Sequence, residues 1–319
     1  MPKLSPMRVA ILGAGSIGSL FALKLSRAGH DVTMVVRNPE RRGYLMQNGV
    51  QARPRVGFGS RRAEVTVVPS LEDAYDLVIV AVQRPQIEDL LPTLAINDSK
   101  QIMLMFNCAS GADQWSHLIG RDRLVWGFPA ALAERHDEVL DYFVVPSALR
   151  FAQITTIGRP DGQTTPDLLA IKAAFTQAGI PTTIEDEIDG WLKSHAAYMA
   201  PVMAMGYTPV RSRFGPRLSL ADCRNLAASV QDGFAALKGT GAPITPANMR
   251  ALDRMPRRAL VALFWVVFWL PMAKRSLASH SGAAPREVAM LLSELHDLAV
   301  RSEVDTASLS RLRAEVPAA

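Results

Sequence analysis

A short apolar run, Arg8-Val9-Ala10-Ile11-Leu12, breaks at Gly13, and glycines at 15 and 18 follow before the pattern changes. From Ile17 onward apolar residues recur at helical spacing, at Leu20, Phe21 and Leu25, with Ser19 and Lys24 between them. A strand, a tight turn and a helix therefore share this stretch. Gly29 closes the helix, and Asp31-Val32-Thr33-Met34-Val35-Val36 reads as a second buried strand, which completes a βαβ unit.

Each glycine answers a need if a dinucleotide sits at the turn. Gly13 permits the turn, Gly15 lets the main chain approach a pyrophosphate, and Gly18 lets the helix pack closely on the strand. The unpaired N–H groups and the positive dipole end of the helix then face the phosphates. Gly13, Ala14, Gly15, Ser16, Ile17 and Gly18 thus form the candidate cofactor-binding turn. An acid at the end of the second strand would hold the ribose 2′-OH of NAD, whereas the 2′-phosphate of NADP calls for arginine. Arg37 stands there, so NADP(H) is the expected cofactor. Seven arginines fall between residues 37 and 62, where Glu40 is the only acid, and guanidinium forks match phosphate geometry. Most of them read as solvated charges on a helix and a loop; Arg37, with Arg41 or Arg42, is the candidate phosphate contact.

The 319 residues suffice for two domains, and 49% hydrophobic with 20% charged residues suits a globular protein. The net charge of +5 is concentrated in the arginine segment. No lysine-rich tail, aromatic-interleaved basic stripe or zinc-finger spacing points to nucleic acid. Two cysteines, Cys108 and Cys223, make neither a disulfide framework nor a metal cluster, and the six histidines lack HExxH spacing, so no metal is expected. Met1–Pro6 is too short for a signal peptide, and the cytoplasm is the expected location.

Further along, Asn38-Pro39 opens a helix stopped by Gly49, and the stretch to Arg62 reads as loop or edge strand. Val65–Val68 and Leu77–Val82 read as strands, the second buried on both faces, and Pro85 opens a helix to about Leu94. Ile102–Phe106 is the next strand. Ligands bind beyond the carboxyl ends of such strands, so residues 83–85 and 107–111 are expected at the same crevice as the glycine turn, with Gln83 and Asn107 as candidate cofactor contacts. Leu124–Phe128, Val139–Val145, Ile154–Ile157 and Thr182–Ile184 read as strands and Thr165–Ala178 as a helix.

From Glu185 the strand signals stop. Helical patterns run over Ile188–Met205 with a kink expected at Pro201, then Leu220–Lys238, Pro246–Arg254, Arg257–Ser279 and Pro285–Glu303. The composition shift predicts an α/β protein with an N-terminal Rossmann-type doubly wound sheet over 1–184 and an all-helical domain over 185–319. The run Leu260–Leu270 is apolar all round, yet shorter than the ~20 residues needed to span a membrane, and Pro271 interrupts it. It is expected as a buried core helix or a homodimer interface, with membrane-surface docking as the other reading.

The glycine turn Gly13–Gly18 near the N-terminus, Arg37 after the second strand, Asn107 in the crevice loop and Trp191-Leu192-Lys193 opening the helical part resemble the ketopantoate reductase (2-dehydropantoate 2-reductase) family along essentially the whole chain. The resemblance implies a helical C-terminal domain of the 6-phosphogluconate dehydrogenase type and NADPH-dependent reduction of a 2-keto acid. It implies that Lys193 hydrogen-bonds the carbonyl oxygen and supplies its proton, and that Asn107 positions the nicotinamide ribose or the substrate.

Several family positions differ. The crevice lysine is Gln83 here, with Arg84 beside it as a substitute cation. The asparagines one and two turns beyond the catalytic lysine are Ala197 and Pro201. The polar Ser-Ser-Met-x-x-Asp segment falls on Trp265-Val266-Val267 and onward, and the later family glutamate falls near Ser279, with no acid there. A small hydrophilic keto acid would lose hydrogen bonds worth roughly 1–3 kcal/mol for each buried partner left unpaired. Two readings follow: a reductase for a bulkier, more apolar carbonyl substrate, or a non-catalytic NADP-binding sensor or interaction protein. His195 does not share a helix face with Lys193 and reads as packing or surface. Cys108 reads as a small filler. Neither a Tyr-x-x-x-Lys pair nor a GxSxG elbow is present.

Overall fold

A computed structural model describes residues 5–147, 154–208, 218–269 and 285–317. Its contacts divide the chain into two compact units, Met1–Phe106 with Ala112–Ile188, and Asn107–Gly111 with Asp189–Ala319. The second unit thus takes in a short loop from the sheet half, which composition along the chain could not reveal.

In the first unit, β1 (Arg8–Leu12), α1 (Ser16–Arg27) and β2 (Asp31–Val35) form the βαβ unit read from the glycine pattern, with β1 and β2 parallel. α2 (Pro39–Asn48) starts at Asn38, whose side chain accepts the Arg41 N–H at 2.8 Å. The arginine-rich stretch is not loop alone. It contains β3 (Val50–Pro54) and β4 (Arg61–Ala63), in which Val50, Ala52 and Ala63 face inward while Arg53 and Arg62 face out. Then come β5 (Thr66–Val68) and β6 (Leu77–Val80), whose four residues are all buried. The helix expected from Pro85 to Leu94 is instead a single 3₁₀ turn, Arg84–Gln86, followed by α3 (Leu91–Ile96). β7 (Gln101–Leu104), α4 (Ser116–Ile119) and β8 (Leu124–Phe128) follow.

β9 (Ala131–His136) went unread because Ala-Leu-Ala-Glu-Arg-His lacks β-branched residues. Antiparallel pairing with β10 (Val139–Val144) overrides that preference. β11 (Thr155–Gly158), α5 (Pro166–Gln177) and β12 (Thr182–Ile184) finish the unit. The main sheet has eight strands in the order β12-β11-β8-β7-β6-β1-β2-β5, parallel from β8 to β5. Chain order reverses at β1, with β2 on one side and β6 on the other, and the glycine turn lies at the carboxyl end of that switch point. The four-stranded sheet β4-β3-β10-β9 covers α1.

The second unit is helical: α6 (Ile188–Ala204), α7 (Leu220–Gly239), α8 (Ala247–Arg254), α9 (Arg257–Val267), α10 (Pro285–Arg301) and α11 (Ala307–Glu315), the last unread from sequence. α6 continues through Pro201. In α10, Val288, Leu291, Leu292, Leu295 and Leu298 recur on one face and enter the core with Leu226, Val230 and Phe234 of α7. α9 is not buried all round. Leu260, Val261 and Phe264 face inward, while Trp265, Val266 and Trp269 are exposed. The expected extension of this helix to Ser279, and Ser279 itself, lie outside the described residues.

Candidate active site

In the first unit a cleft of about 960 Å³ opens at the switch point. Gly13, Ala14, Gly15, Arg37 and Gln83 line it; Ser16 and Ile17 begin α1 just behind the turn. The structure separates the three glycines by what each is for. A Cβ on Gly13 would stand 2.4 Å from the Ala81 carbonyl oxygen at a φ of +108°, and one on Gly18 would stand 1.9 Å from the Gly13 carbonyl oxygen. The fold itself excludes both. A Cβ on Gly15 would meet nothing within 4 Å. No packing within the protein requires glycine there, whereas close approach of a phosphate to the main chain does.

The start of α1 agrees. Gly15 is its N-cap, no side chain caps it, and no acid lies in its first turn, so N–H groups at the positive end of the helix point toward the cleft mouth without a side-chain acceptor. These features fit a dinucleotide pyrophosphate. Arg37 is exposed on the cleft wall beyond β2. Gln83 lines the cleft and caps the Arg84–Gln86 turn. Arg84, read as a substitute cation, is corrected: its guanidinium lies 4.6 Å from the Trp115 ring centroid, bonds Glu88 and Gln114 at 3.5 Å, and does not line the cleft. Sequence reasoning also missed Arg135 and Glu138, which reach the cleft from the β9–β10 hairpin.

In the second unit Lys193 and the loop Asn107–Gly111 come together. Lys193 Nζ pairs with Asp189 Oδ2 at 2.6 Å, one turn earlier on α6. Gly111, at a φ of +116°, lies so close that an added Cβ would stand 3.1 Å from Asp189 Oδ1 and 3.3 Å from Lys193 Nζ. Only a residue without a side chain brings the loop this near the ion pair. Asn107 donates from Nδ2 to Glu287 Oε1 at 3.1 Å, while its Oδ1 is buried with no hydrogen-bond partner among the described residues. The Ala109 N–H donates to Glu294 Oε2 at 3.0 Å, and Ser110 Oγ lies 3.5 Å from Glu294 Oε1.

The acids that meet the loop come from α10, further along the chain than the position near Ser279 where the resemblance implies a glutamate. Glu287 and Glu294 of α10 serve the loop, from positions seven apart that share a helix face. Asp189 was legible as an acid four residues before a lysine; nothing in sequence tied Glu287 or Glu294 to a loop so far upstream. Ala197, where the resemblance implies an asparagine, is buried in the helical core beside Gly233 of α7. His195 is buried and stacked on Trp191, with ring centroids 5.0 Å apart and planes 4° from parallel, a packing role. Cys108 and Cys223 are buried thiols, and burial pushes the pKa of Cys223 up to about 11. Among the described residues, no cluster of three or more His, Cys, Asp or Glu side chains is arranged to hold a metal ion, and no helix is long and apolar enough to cross a membrane.

A parallel sheet with a glycine turn and an uncapped helix at its switch point defines a Rossmann-type, dinucleotide-binding class of fold. The ApbA family model, ketopantoate reductase PanE/ApbA, matches residues 9–145. Over those residues the chain is similar to the ketopantoate reductase family. A 2-dehydropantoate 2-reductase of Aquifex aeolicus is 24% identical over 212 residues, which are 63% of this chain and 62% of that relative, so the match spans less than two thirds of its length. The structure of 2-dehydropantoate 2-reductase from Geobacter metallireducens superposes with a TM-score of 0.72 at 16% identity, covering 97% of this chain and 98% of that one. D-mandelate dehydrogenase, solved with NADH and anilino(oxo)acetate, gives a TM-score of 0.72 at 15% identity, covering 97% and 96%.

Proposed function

We propose that the protein is an oxidoreductase that reduces the carbonyl of a 2-keto acid to the alcohol, with NADPH as cofactor. The observation that carries this reading is the Lys193–Asp189 ion pair packed against the Asn107–Gly111 loop. A reduced nicotinamide supplies the hydride to the carbonyl carbon. Lys193 donates a proton from Nζ to the carbonyl oxygen as negative charge grows there, so the C=O bond becomes C–OH and the ammonium becomes an amine. Asp189, paired with Nζ at 2.6 Å, aims it. Asn107, anchored through Nδ2 by Glu287, keeps Oδ1 as an acceptor for a ribose or substrate hydroxyl.

Preference for NADPH rests on Arg37 at the end of β2. Replacing a charge-assisted contact worth about 1.5–3 kcal/mol makes Arg37→Ala lose roughly ten- to hundredfold of its NADPH-over-NADH preference in binding titrations. Equal affinity of the unmodified protein for the two cofactors would refute that preference, and the NADH-bound mandelate dehydrogenase relative makes the comparison worth running first. The apolar Trp265-Val266-Val267, where the resemblance implies polar groups, supports a substrate more apolar than ketopantoate.

The test is NADPH oxidation against a panel of keto acids, ketopantoate and arylglyoxylates included, with Lys193→Ala alongside. Loss of a general acid lowers turnover by about 100-fold or more while NADPH affinity stays unchanged. Tight NADPH binding without turnover on any member would favour the non-catalytic reading instead.

A further inference from the structure

The β9–β10 hairpin carries two charged groups to the dinucleotide cleft. Arg135, on β9, donates from Nη1 to the carbonyl oxygen of Ala14 at 3.0 Å, between the first two glycines of the turn. Glu138, in the hairpin turn, forms an ion pair with Arg41 of α2. Arg41 is itself largely buried, its side chain 10% exposed, and lies over the Tyr44 ring while reaching Ser19 Oγ at 3.4 Å. All three charged groups line the cleft.

Arg41 is short of negative charge. Its Nε is buried with no hydrogen-bond partner among the described residues. Burial, and after it the neighbouring Arg135 guanidinium, push its pKa down to about 10. Arg135 neighbours Arg41, Glu138 pairs with Arg41, and a phosphate brings more charge and more acceptor oxygens than that carboxylate does. The hairpin turn is also held under strain. Asp137 and Glu138 have φ of 44° and 70°, the left-handed region that residues with a Cβ enter against a steric cost. The Glu138–Arg41 pair and the Arg135–Ala14 bond tie this turn to α2 and the glycine turn.

We propose that Glu138 is an internal anion that guards the phosphate site of the cleft: it neutralises Arg41 in the free protein, and a dinucleotide phosphate displaces it, so that Arg41 and Arg135 hold the phosphate and the hairpin tip is released. The proposal rests on the dinucleotide reading of the cleft. Glu138 then sets a threshold, because a ligand must offer Arg41 more than a carboxylate does. Weakly anionic ligands fail that test.

Calorimetric titration of NADPH and NADH into the wild-type protein, Glu138→Gln, Glu138→Asp and Arg135→Gln decides the matter without any turnover. Glu138→Gln, which removes the competitor, binds NADPH roughly tenfold more tightly, Glu138→Asp stays near wild type, and Arg135→Gln binds more weakly. Tightening confined to NADPH identifies the 2′-phosphate as the displacing group, and equal tightening of NADH identifies the pyrophosphate; either supports the guard. Wild-type binding with unchanged affinity in Glu138→Gln overturns it and leaves the cofactor reading intact. Failure of the wild-type protein to bind either dinucleotide overturns both.

Discussion

At the glycine turn of the first unit the cleft is walled by main chain, whereas at Lys193 the groups that meet are side chains drawn from separate stretches of sequence. Gly13 and Gly18 hold the turn against Ala81 and against each other, and the helix end behind them offers N–H groups whatever side chains follow. The loop Asn107–Gly111 depends instead on Glu287 and Glu294 of α10 and on the pair formed by Asp189 and Lys193. A main-chain site survives extensive change at neighbouring positions but not at its glycines. A side-chain site depends on elements far apart in sequence, as this loop does on Glu287 and Glu294 of α10.

The sharpest way to break this comparison is Gly18→Ala. Its Cβ would stand 1.9 Å from a backbone oxygen that cannot rotate away, so destabilisation at the upper end of the ~1–3 kcal/mol typical of overpacking is expected in thermal or denaturant unfolding. Wild-type stability in that variant would mean the turn is not the rigid element described here. Gly15→Ala sharpens the same contrast, since its Cβ meets nothing. Unfolding should be unaltered, while dinucleotide affinity falls about tenfold as one charge-assisted contact to the main chain is lost. Stability and affinity falling together would place Gly15 with the structural glycines.

The smallest effect concerns the opposite end of the sheet. Asp76 accepts the Arg8 N–H at 2.9 Å and Lys100 Nζ at 2.8 Å, joining the start of β1 to the turns before β6 and β7. The Lys100 hydrogen bond, then that of the Arg8 N–H, holds its carboxyl below the usual range. A depressed acid contributes stability that is present above its unfolded pKa and lost as pH falls through the folded one. Asp76→Asn should therefore cost about 0.5–1 kcal/mol near neutrality, with the difference from wild type closing as the pH falls through the depressed range of this carboxyl. Cofactor affinity, set at the other end of the strands, should not change.

Much of the first unit was legible because its signals are local. The βαβ start, the buried runs of β6 and β7, the Asn38 and Thr165 helix caps and the strand Thr182–Ile184 depend on near neighbours in sequence. β9 was not legible, since its residues prefer helix and become a strand only against β10. Arg84 misled for a related reason: a cation beside the cleft in sequence is claimed by Trp115, Glu88 and Gln114 in space. The apolar run of α9 reads as a core helix or an interface; the helix buries Leu260, Val261 and Phe264 and exposes Trp265 and Val266, because only packing partners decide which apolar residues leave water.

Local chemistry in the chain by itself determined the strand–glycine–helix turn, the arginine that follows β2 and the change from mixed to helical structure near residue 185. Those features rest on backbone sterics, helix caps and periodicity, which act over a few residues. Tertiary structure alone decided that Gly15 is the glycine the fold does not need, that Arg135 and Glu138 reach the cleft, and that Glu287 and Glu294 hold the loop beside Lys193. Each of those pairings joins residues far apart in sequence, and what selects them is the packing of whole elements rather than any preference a short segment carries.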